Sequence, residues 1–257
     1  QIGTIFAFFA YLNMFYRPLR EMAEKFNTFQ SALAATGRII LLLERPITIM
    51  EPERPAPLPP RRGGEIEFRE VSFAYDGGPP VLRNISFRLR PGEKVALVGY
   101  TGSGKTTVTS LVNRLYDVGE GAILLDGIDI RSLSLRELRR RIATIPQNVF
   151  LFTGTVSENI SLHQPEVDQA RVETASAQVF LDPFVRNFPH GYGENVLEEG
   201  RLLSAGQKQL LSFARALVRQ PEVVILDEAT SNIDSATEHL IENAIGRLLE
   251  GRTAVII

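Results

Sequence analysis

The sequence predicts an α/β domain built on a largely parallel sheet, entered through a long helix and a proline-rich linker. Three observations predict it. From Glu65 onward, segments with strand periodicity alternate with segments of helical periodicity, the pattern of a sheet covered by helices. Two short apolar runs, Lys94–Val98 and Glu222–Leu226, read as strands buried on both faces. A glycine-rich loop at residues 99–106 joins the first run to a helical pattern at Val108, Leu111, Val112 and Leu115.

The elements follow in order. Ile2–Tyr16 is nearly all apolar and aromatic, shorter than the roughly 20 residues that cross a bilayer, and lacks the basic start of a signal peptide. Two readings stay open here: a buried core helix, or the cut end of a longer membrane helix. Arg17, Arg20 and Lys25 follow, and positive charge after an apolar run marks the cytoplasmic side of a membrane helix. Leu19, Met22, Phe26, Phe29, Leu33, Ile40 and Leu43 continue at helical spacing, which predicts a helix packed on neighbouring helices. Residues 46–64 carry six prolines (Pro46, Pro52, Pro55, Pro57, Pro59, Pro60), so they read as an extended, semi-rigid linker with a boundary near Glu65. Ile66 and Phe68, then Ile85, Phe87 and Leu89, alternate with polar residues as half-buried strands do. Ser134 and Glu137 have capping-box spacing ahead of Leu138.

Composition narrows the chemistry. The 257 residues carry a net charge of −2, which argues against a strongly basic nucleic-acid-binding domain. There is no cysteine, which excludes disulfides, zinc–thiolate sites and thiol nucleophiles.

Residues 99–106 read GYTGSGKT, the pattern G-x-x-x-x-G-K-[ST] between a strand and a helix. Gly102 and Gly104 let the backbone bend so that successive N–H groups point at phosphate oxygens. The helix N-terminus adds positive potential. The predicted phosphate-binding set is Gly99, Thr101, Gly102, Ser103, Gly104, Lys105, Thr106 and the following Thr107. Lys105 reaches the β- and γ-phosphates and the Thr106 hydroxyl coordinates Mg²⁺. VVILDE at residues 223–228 puts Asp227 at a strand end, suited to hold Mg²⁺ through water. Glu228 follows and is expected to act as the base for the attacking water.

LLSAGQ at residues 202–207 resembles the LSGGQ signature of the ATP-binding cassette (ABC) family. Ser204 also suits an N-cap for the helix that follows, and both roles can hold together. The resemblance implies a P-loop NTPase of ABC type, with a RecA-like core, a β-subdomain, and a helical subdomain at about residues 150–215. It implies ATP and Mg²⁺ as cofactors. It also implies that Ser204, Ala205, Gly206 and Gln207 grip the γ-phosphate of ATP bound to a second nucleotide-binding domain. Tyr75 resembles the adenine-stacking aromatic, with a core or edge tyrosine as the plainer reading. Gln147 resembles the glutamine that touches Mg²⁺ and links the site to the membrane part. Asp234, within SNID at residues 231–234, resembles the aspartate that acts across the dimer interface, and an N-cap is its plainer reading.

FYRPLREMAEKFNTFQSA, GRIILLLE and PQNVFLFTGTVSENI look like exporters. Residues 1–45 are therefore expected to end the last transmembrane helix of a multi-pass membrane protein, and 65–257 to form a nucleotide-binding domain, truncated at its C-terminus, on the cytoplasmic side. The implied partners are the transmembrane domain of the same polypeptide, the bilayer, and a second nucleotide-binding domain in a homo- or heterodimer; no nucleic acid is expected. The rivals are a soluble ABC ATPase of DNA repair or translation, which leaves Ile2–Tyr16 without a use, and a non-catalytic regulatory ATP-binding module, which has no need of Glu228.

The chain departs from the family pattern at several places. Ala205 replaces a glycine, ENVLEEG at 194–200 only partly resembles TxVGExG, Asn232–Ile233 replaces Ala–Leu, and Leu210 stands where many relatives have arginine. Together these suggest a subunit paired with a different chain, as in a heterodimeric multidrug exporter. The family's switch histidine is expected beyond Ile257; His163, His190 and His239 do not fit its place. Residues 1–257 alone are accordingly expected to bind ATP better than they hydrolyse it.

Overall fold

A computed structural model describes residues 2–58, 60–196, 203–227 and 235–257. It divides into two compact units, residues 1–48 and 49–257.

The first unit is one helix, α1 (Ile2–Leu43), of 42 residues with Pro18 inside it and no buried residue. The apolar run and the amphipathic stretch are thus continuous. Its apolar side chains are exposed, Phe6 by 75% in the apolar run and Met22 by 68% in the amphipathic stretch. Among the described residues no helix is long and apolar enough to cross a membrane.

The second unit holds two four-stranded sheets. Strands β1 (Ile66–Phe73), β2 (Leu82–Leu89), β4 (Glu120–Leu125) and β5 (Ile128–Asp129) form an antiparallel sheet in the order β2-β1-β4-β5. Strands β3 (Lys94–Ala96), β6 (Ile142–Ile145), β7 (Val223–Leu226) and β8 (Thr253–Ile256) form a parallel sheet in the order β3-β8-β7-β6. Helix α2 (Lys105–Val112) follows β3, and α3 (Leu135–Arg141) precedes β6. Between β6 and β7 lie α4 (Val156–Ser161), α5 (Gln169–Gln178), α6 (Asp182–Arg186) and α7 (Ala205–Leu217); α8 (Ser235–Leu249) precedes β8.

Strand β7 is the hinge of the packing. Val223 and Ile225 face a core shared with the antiparallel sheet, α2 and α3, whereas Val224 and Leu226 face a core shared with α4–α8. Its four residues are all buried, as a continuous apolar run requires. The expectation that β3 is buried on both faces needs correction. That strand is three residues long, sits at the sheet edge beside β8 alone, and is only partly covered. An apolar run at an edge strand is buried on fewer sides than the same run in the middle of a sheet. Helix α2 likewise stops at Val112, with Asn113 as C-cap, and Leu115 is 54% exposed.

The proline-rich segment is fastened to the second unit from Ile49 onward. The buried Arg114 guanidinium, paired with Asp117 at 2.8 Å, donates through Nη2 to the Met50 carbonyl at 3.0 Å. Ala56 N donates to the Ser132 carbonyl at 2.8 Å, and Ala56 and Leu58 pack against the core. Further along, Glu65 N donates to Asp126, which pairs with Arg141 at 3.0 Å; Arg141 also faces Glu222 at 3.3 Å. These three ionised side chains are nearly fully buried and rely on one another, because a lone charge there would bear the full loss of hydration.

The same strap corrects the capping box expected at Ser134. Ser134 holds the N-cap position of α3, but its hydroxyl makes no cap. Glu51 supplies it instead, accepting from Leu135 N at 2.9 Å and from the Ser134 hydroxyl at 3.4 Å. A carboxylate at a helix N-terminus also meets the positive end of the helix dipole. Glu51→Ala is therefore expected to cost about 1 kcal/mol, read as a lower urea midpoint, with Glu51→Gln costing less because an oxygen acceptor remains. An unchanged midpoint in Glu51→Ala would show that this cap adds nothing to stability.

Candidate functional site

All four strands of the second sheet run parallel, so their C-terminal ends share one edge. The loop after β3, the segment after β6 carrying Gln147, and the segment after β7 carrying Asp227 therefore meet there, at the carboxyl edge where such sheets bind ligands. Asp227 N donates to the Ile145 carbonyl at 3.0 Å and Ile257 N to the Leu226 carbonyl at 2.9 Å, which extends the ladder to the rim.

Residues 99–104 wrap the start of α2. Ser103 N donates to the Tyr100 carbonyl at 3.1 Å, closing a tight turn. Gly104, the N-cap, has φ +94° and is buried; a Cβ there would stand 2.9 Å from Leu82 Cδ2 and 3.3 Å from Val81 Cγ1. Glycine is needed at that position for its backbone angle and again for space. The free N–H groups of α2 face out of this turn and carry the positive end of the helix. Lys105 Nζ donates to the carbonyls of Gly99 at 2.7 Å and Tyr100 at 2.9 Å, so the ammonium is held over the loop.

A cavity of about 480 Å³ opens at this edge. Tyr75, Thr101, Gly102, Gly104, Lys105, Thr106, Thr107, Gln147 and Asp227 line it. All nine are among the residues that the sequence singles out. Sequence reasoning missed Val81 and Ile257, which line the same cavity. Val81 carries no polar atom to betray it; its only sign is an apolar residue just ahead of a strand. Gly99 and Ser103 do not line the cavity and instead shape the loop: a Cβ on Gly99 would meet the Ser103 hydroxyl at 2.6 Å. Glu228 and Asp234 lie outside the described residues.

Side-chain oxygens at the cavity include the Thr106 hydroxyl, the Gln147 amide and the Asp227 carboxylate. Such hard donors fit Mg²⁺, which keeps several waters and completes its octahedron with phosphate oxygens. Among the described residues no group of three or more His, Asp or Glu could hold a metal by itself.

The signature residues stand elsewhere, at the start of α7, and do not line this cavity. Ser204 is the N-cap. Its hydroxyl accepts from Gln207 N at 3.2 Å, and Gln207 Oε1 accepts from Ser204 N at 3.0 Å, a reciprocal capping box. Ser204 and Ala205 are exposed at that helix end while Gly206 is buried. Leu210, where many relatives have arginine, is fully buried in the core around α7.

Beyond Gln147 the chain runs to Phe150 and Phe152, both largely exposed and in edge contact at 5.1 Å. Two side chains hold this stretch. The buried Asn159 amide bonds both backbone groups of Phe152, each at 2.8 Å. Arg215 of α7 donates to the carbonyls of Asn159 at 2.8 Å and Phe150 at 2.9 Å, and burial lowers its guanidinium pKa from the ordinary value. No local pattern marks this pair, because the two residues are 56 positions apart.

With the geometry described, comparison with known proteins adds three findings. Residues 82–231 match a family model described as ABC transporter. The chain is 42% identical over 256 residues to a fatty acid ABC transporter ATP-binding/permease protein of Mycobacterium bovis, covering 100% of this chain and 40% of that protein. It is 40% identical over 255 residues to an ATP-dependent lipid A-core flippase of Syntrophus aciditrophicus, covering 99% of this chain and 42% of that protein. Among solved structures, a bacterial Atm1-family ABC exporter with ATP bound aligns with a TM-score of 0.76 at 33% identity, over 96% of this chain and 43% of its own. The chain thus spans well under half the length of these relatives.

Proposed function

The chain belongs to the ABC transporter family and has its P-loop NTPase fold, and from that premise we propose that it binds and hydrolyses ATP to drive export across a membrane. One observation carries the reading: a phosphate-loop lysine, three hard oxygen donors and an exposed aromatic converge on one cavity at the carboxyl edge of a parallel sheet. Lys105 and the N–H groups at the start of α2 take the β- and γ-phosphates. Thr106, Gln147 and Asp227 hold Mg²⁺, Asp227 through water. Mg²⁺ held there would neutralise charge on the phosphates. Glu228 polarises the attacking water, and Tyr75 stacks on the adenine.

Ser204, Ala205, Gly206, Gln207 and Asp234 act on ATP held by a second nucleotide-binding domain, in a homo- or heterodimer. For the four signature residues that role fits their place, since the α7 start does not line the cavity of its own chain. Residues 1–45 end the last transmembrane helix and continue it on the cytoplasmic side, joined to a transmembrane domain of the same polypeptide. The wholly exposed aromatic run of α1 supports that, as do relatives named as exporter, permease and flippase. These relatives leave the soluble and the non-catalytic alternatives without support.

The test is direct titration of this chain with a fluorescent ATP analogue, with and without Mg²⁺. Saturable binding that Mg²⁺ strengthens and excess ATP reverses is expected. Absence of binding by a folded chain would refute the proposal at its first step.

A further inference from the structure

We propose that a cleft at the amino edge of the parallel sheet binds a small phosphate-bearing anion through Arg61, Arg171 and Arg252. It is a second site, with no lining residue in common with the nucleotide cavity.

The topology sets its place. Strands β7 and β8 run parallel, so the segments that enter them share one edge, opposite the edge that carries Asp227 and Ile257. Glu222 immediately precedes β7 and Arg252 immediately precedes β8. Arg61 comes from the proline-rich segment and Arg171 from α5. All four line one cavity of about 430 Å³.

Backbone carbonyls hold the three guanidinium groups in place. Arg61 Nη1 donates to the Gln220 carbonyl at 2.9 Å. Arg171 donates to the carbonyls of Glu166 at 2.8 Å and Val218 at 3.0 Å. Arg252 donates through Nε to the Pro221 carbonyl at 3.2 Å and through Nη1 to the Leu248 carbonyl at 2.9 Å. Carbonyls orient a cation without neutralising it. Two carboxylates also line the cavity, and both are engaged with arginines outside it. Glu222, 7% exposed, faces Arg141 at 3.3 Å as well as Arg61 at 3.5 Å. Glu250 pairs with Arg247 at 3.3 Å. Among the described residues neither Arg171 nor Arg252 has a carboxylate at ion-pair distance, and Nη2 of Arg61 and of Arg252 donates to no protein group. Burial lowers the Arg252 guanidinium pKa from its ordinary value, with Glu250 opposing, which fits a cation short of countercharge.

The ligand class follows from the donors. A guanidinium offers paired N–H groups that match phosphate oxygens. Three of them around one cleft suit a ligand with several anionic oxygens better than a single carboxylate.

The probe is inorganic pyrophosphate, titrated calorimetrically without Mg²⁺ into the Lys105→Ala chain, which takes the phosphate loop out of competition. One saturable site is expected. Arg61→Gln in that background should weaken it about tenfold or more, the worth of one charge-assisted hydrogen bond, and Arg252→Gln by at least as much. Arg252 also ties down the end of α8, so urea curves accompany both variants; if Arg252→Gln unfolds the chain, Arg61→Gln decides alone. Arg69→Gln removes an exposed charge paired with Glu67 on the other sheet and should leave pyrophosphate affinity unchanged. Acetate at matched ionic strength should give no saturable heat. The proposal is overturned by the absence of a saturable site in Lys105→Ala, or by unchanged affinity in Arg61→Gln. Equal weakening in Arg69→Gln would reduce the effect to net charge and overturn it too, as would acetate binding as tightly as pyrophosphate.

Discussion

Lys105→Ala is expected to reduce ATP affinity by about 10²-fold or more while leaving the fold intact. The ammonium is held over the loop by the carbonyls of Gly99 and Tyr100, at the mouth of the cavity that Thr106, Gln147 and Asp227 also line. A phosphate there gains charge-assisted hydrogen bonds, each worth about 1.5–3 kcal/mol. Losing two of them spans roughly two or more decades in affinity. No comparable loss of stability follows, because Gly99 and Tyr100 are exposed and water can take over their carbonyls. The measurement is fluorescent-nucleotide titration of both chains beside their urea unfolding curves. Wild-type affinity in Lys105→Ala would remove the lysine from the phosphate site, and a collapsed midpoint would show it to be a structural bolt.

How far the site was legible depended on how far apart its parts lie in the chain. The phosphate loop is contiguous, and its chemistry demands particular residue types at fixed spacing, so Gly102, Gly104, Lys105 and Thr106 could be named directly. Asp227 was reachable because it ends an apolar strand at the edge where parallel strands bind ligands, and Gln147 only through its resemblance to the family's glutamine. What escaped was partnership across long separations. Ser134 has the local spacing of a capping box, yet the oxygen that caps its helix belongs to Glu51, 84 residues before Leu135. The proline-rich segment looks like a free linker because nothing local shows that Arg114, 64 residues away, binds the Met50 carbonyl. Val81 enters the site only by lying against Gly104, a matter of packing with no signature in residue type.

The antiparallel sheet and the strand at the edge make the same point about burial. Periodicity reports which faces of a segment are apolar, and the neighbours decide which faces are covered. Glu222–Leu226 and Lys94–Val98 have similar composition, but β7 lies between β8 and β6 with a core on each side, while β3 has β8 alone. The α1 stripe is the extreme case: the helix forms with the expected period and none of its residues is buried. An apolar face of that extent needs a bilayer or other helices, which agrees with the exporter reading of residues 1–45.

Glu228→Gln is expected to abolish most ATP turnover in the complete transporter while ATP binding survives. Asp227, whose N–H is bonded to the Ile145 carbonyl, is the last residue described before Glu228, and it lines the cavity with Thr106 and Gln147. On the proposed reading Asp227 and Glu228 have separate tasks, one for the metal's water shell and the other for the attacking water. The amide is nearly isosteric with the carboxylate but cannot accept the proton, so affinity should hold and the chemical step should slow. Loss of a positioned base typically costs about 10²–10⁴-fold. Two measurements on the same preparation decide it, steady-state phosphate release and nucleotide occupancy at saturating Mg²⁺-ATP. High occupancy with turnover lowered by at least ~10²-fold is the expected pair, and it should trap the two domains closed on ATP. If turnover stays near wild type, another group orients the water. If occupancy falls with turnover, Glu228 serves binding, and the separation of roles between the two carboxylates is wrong.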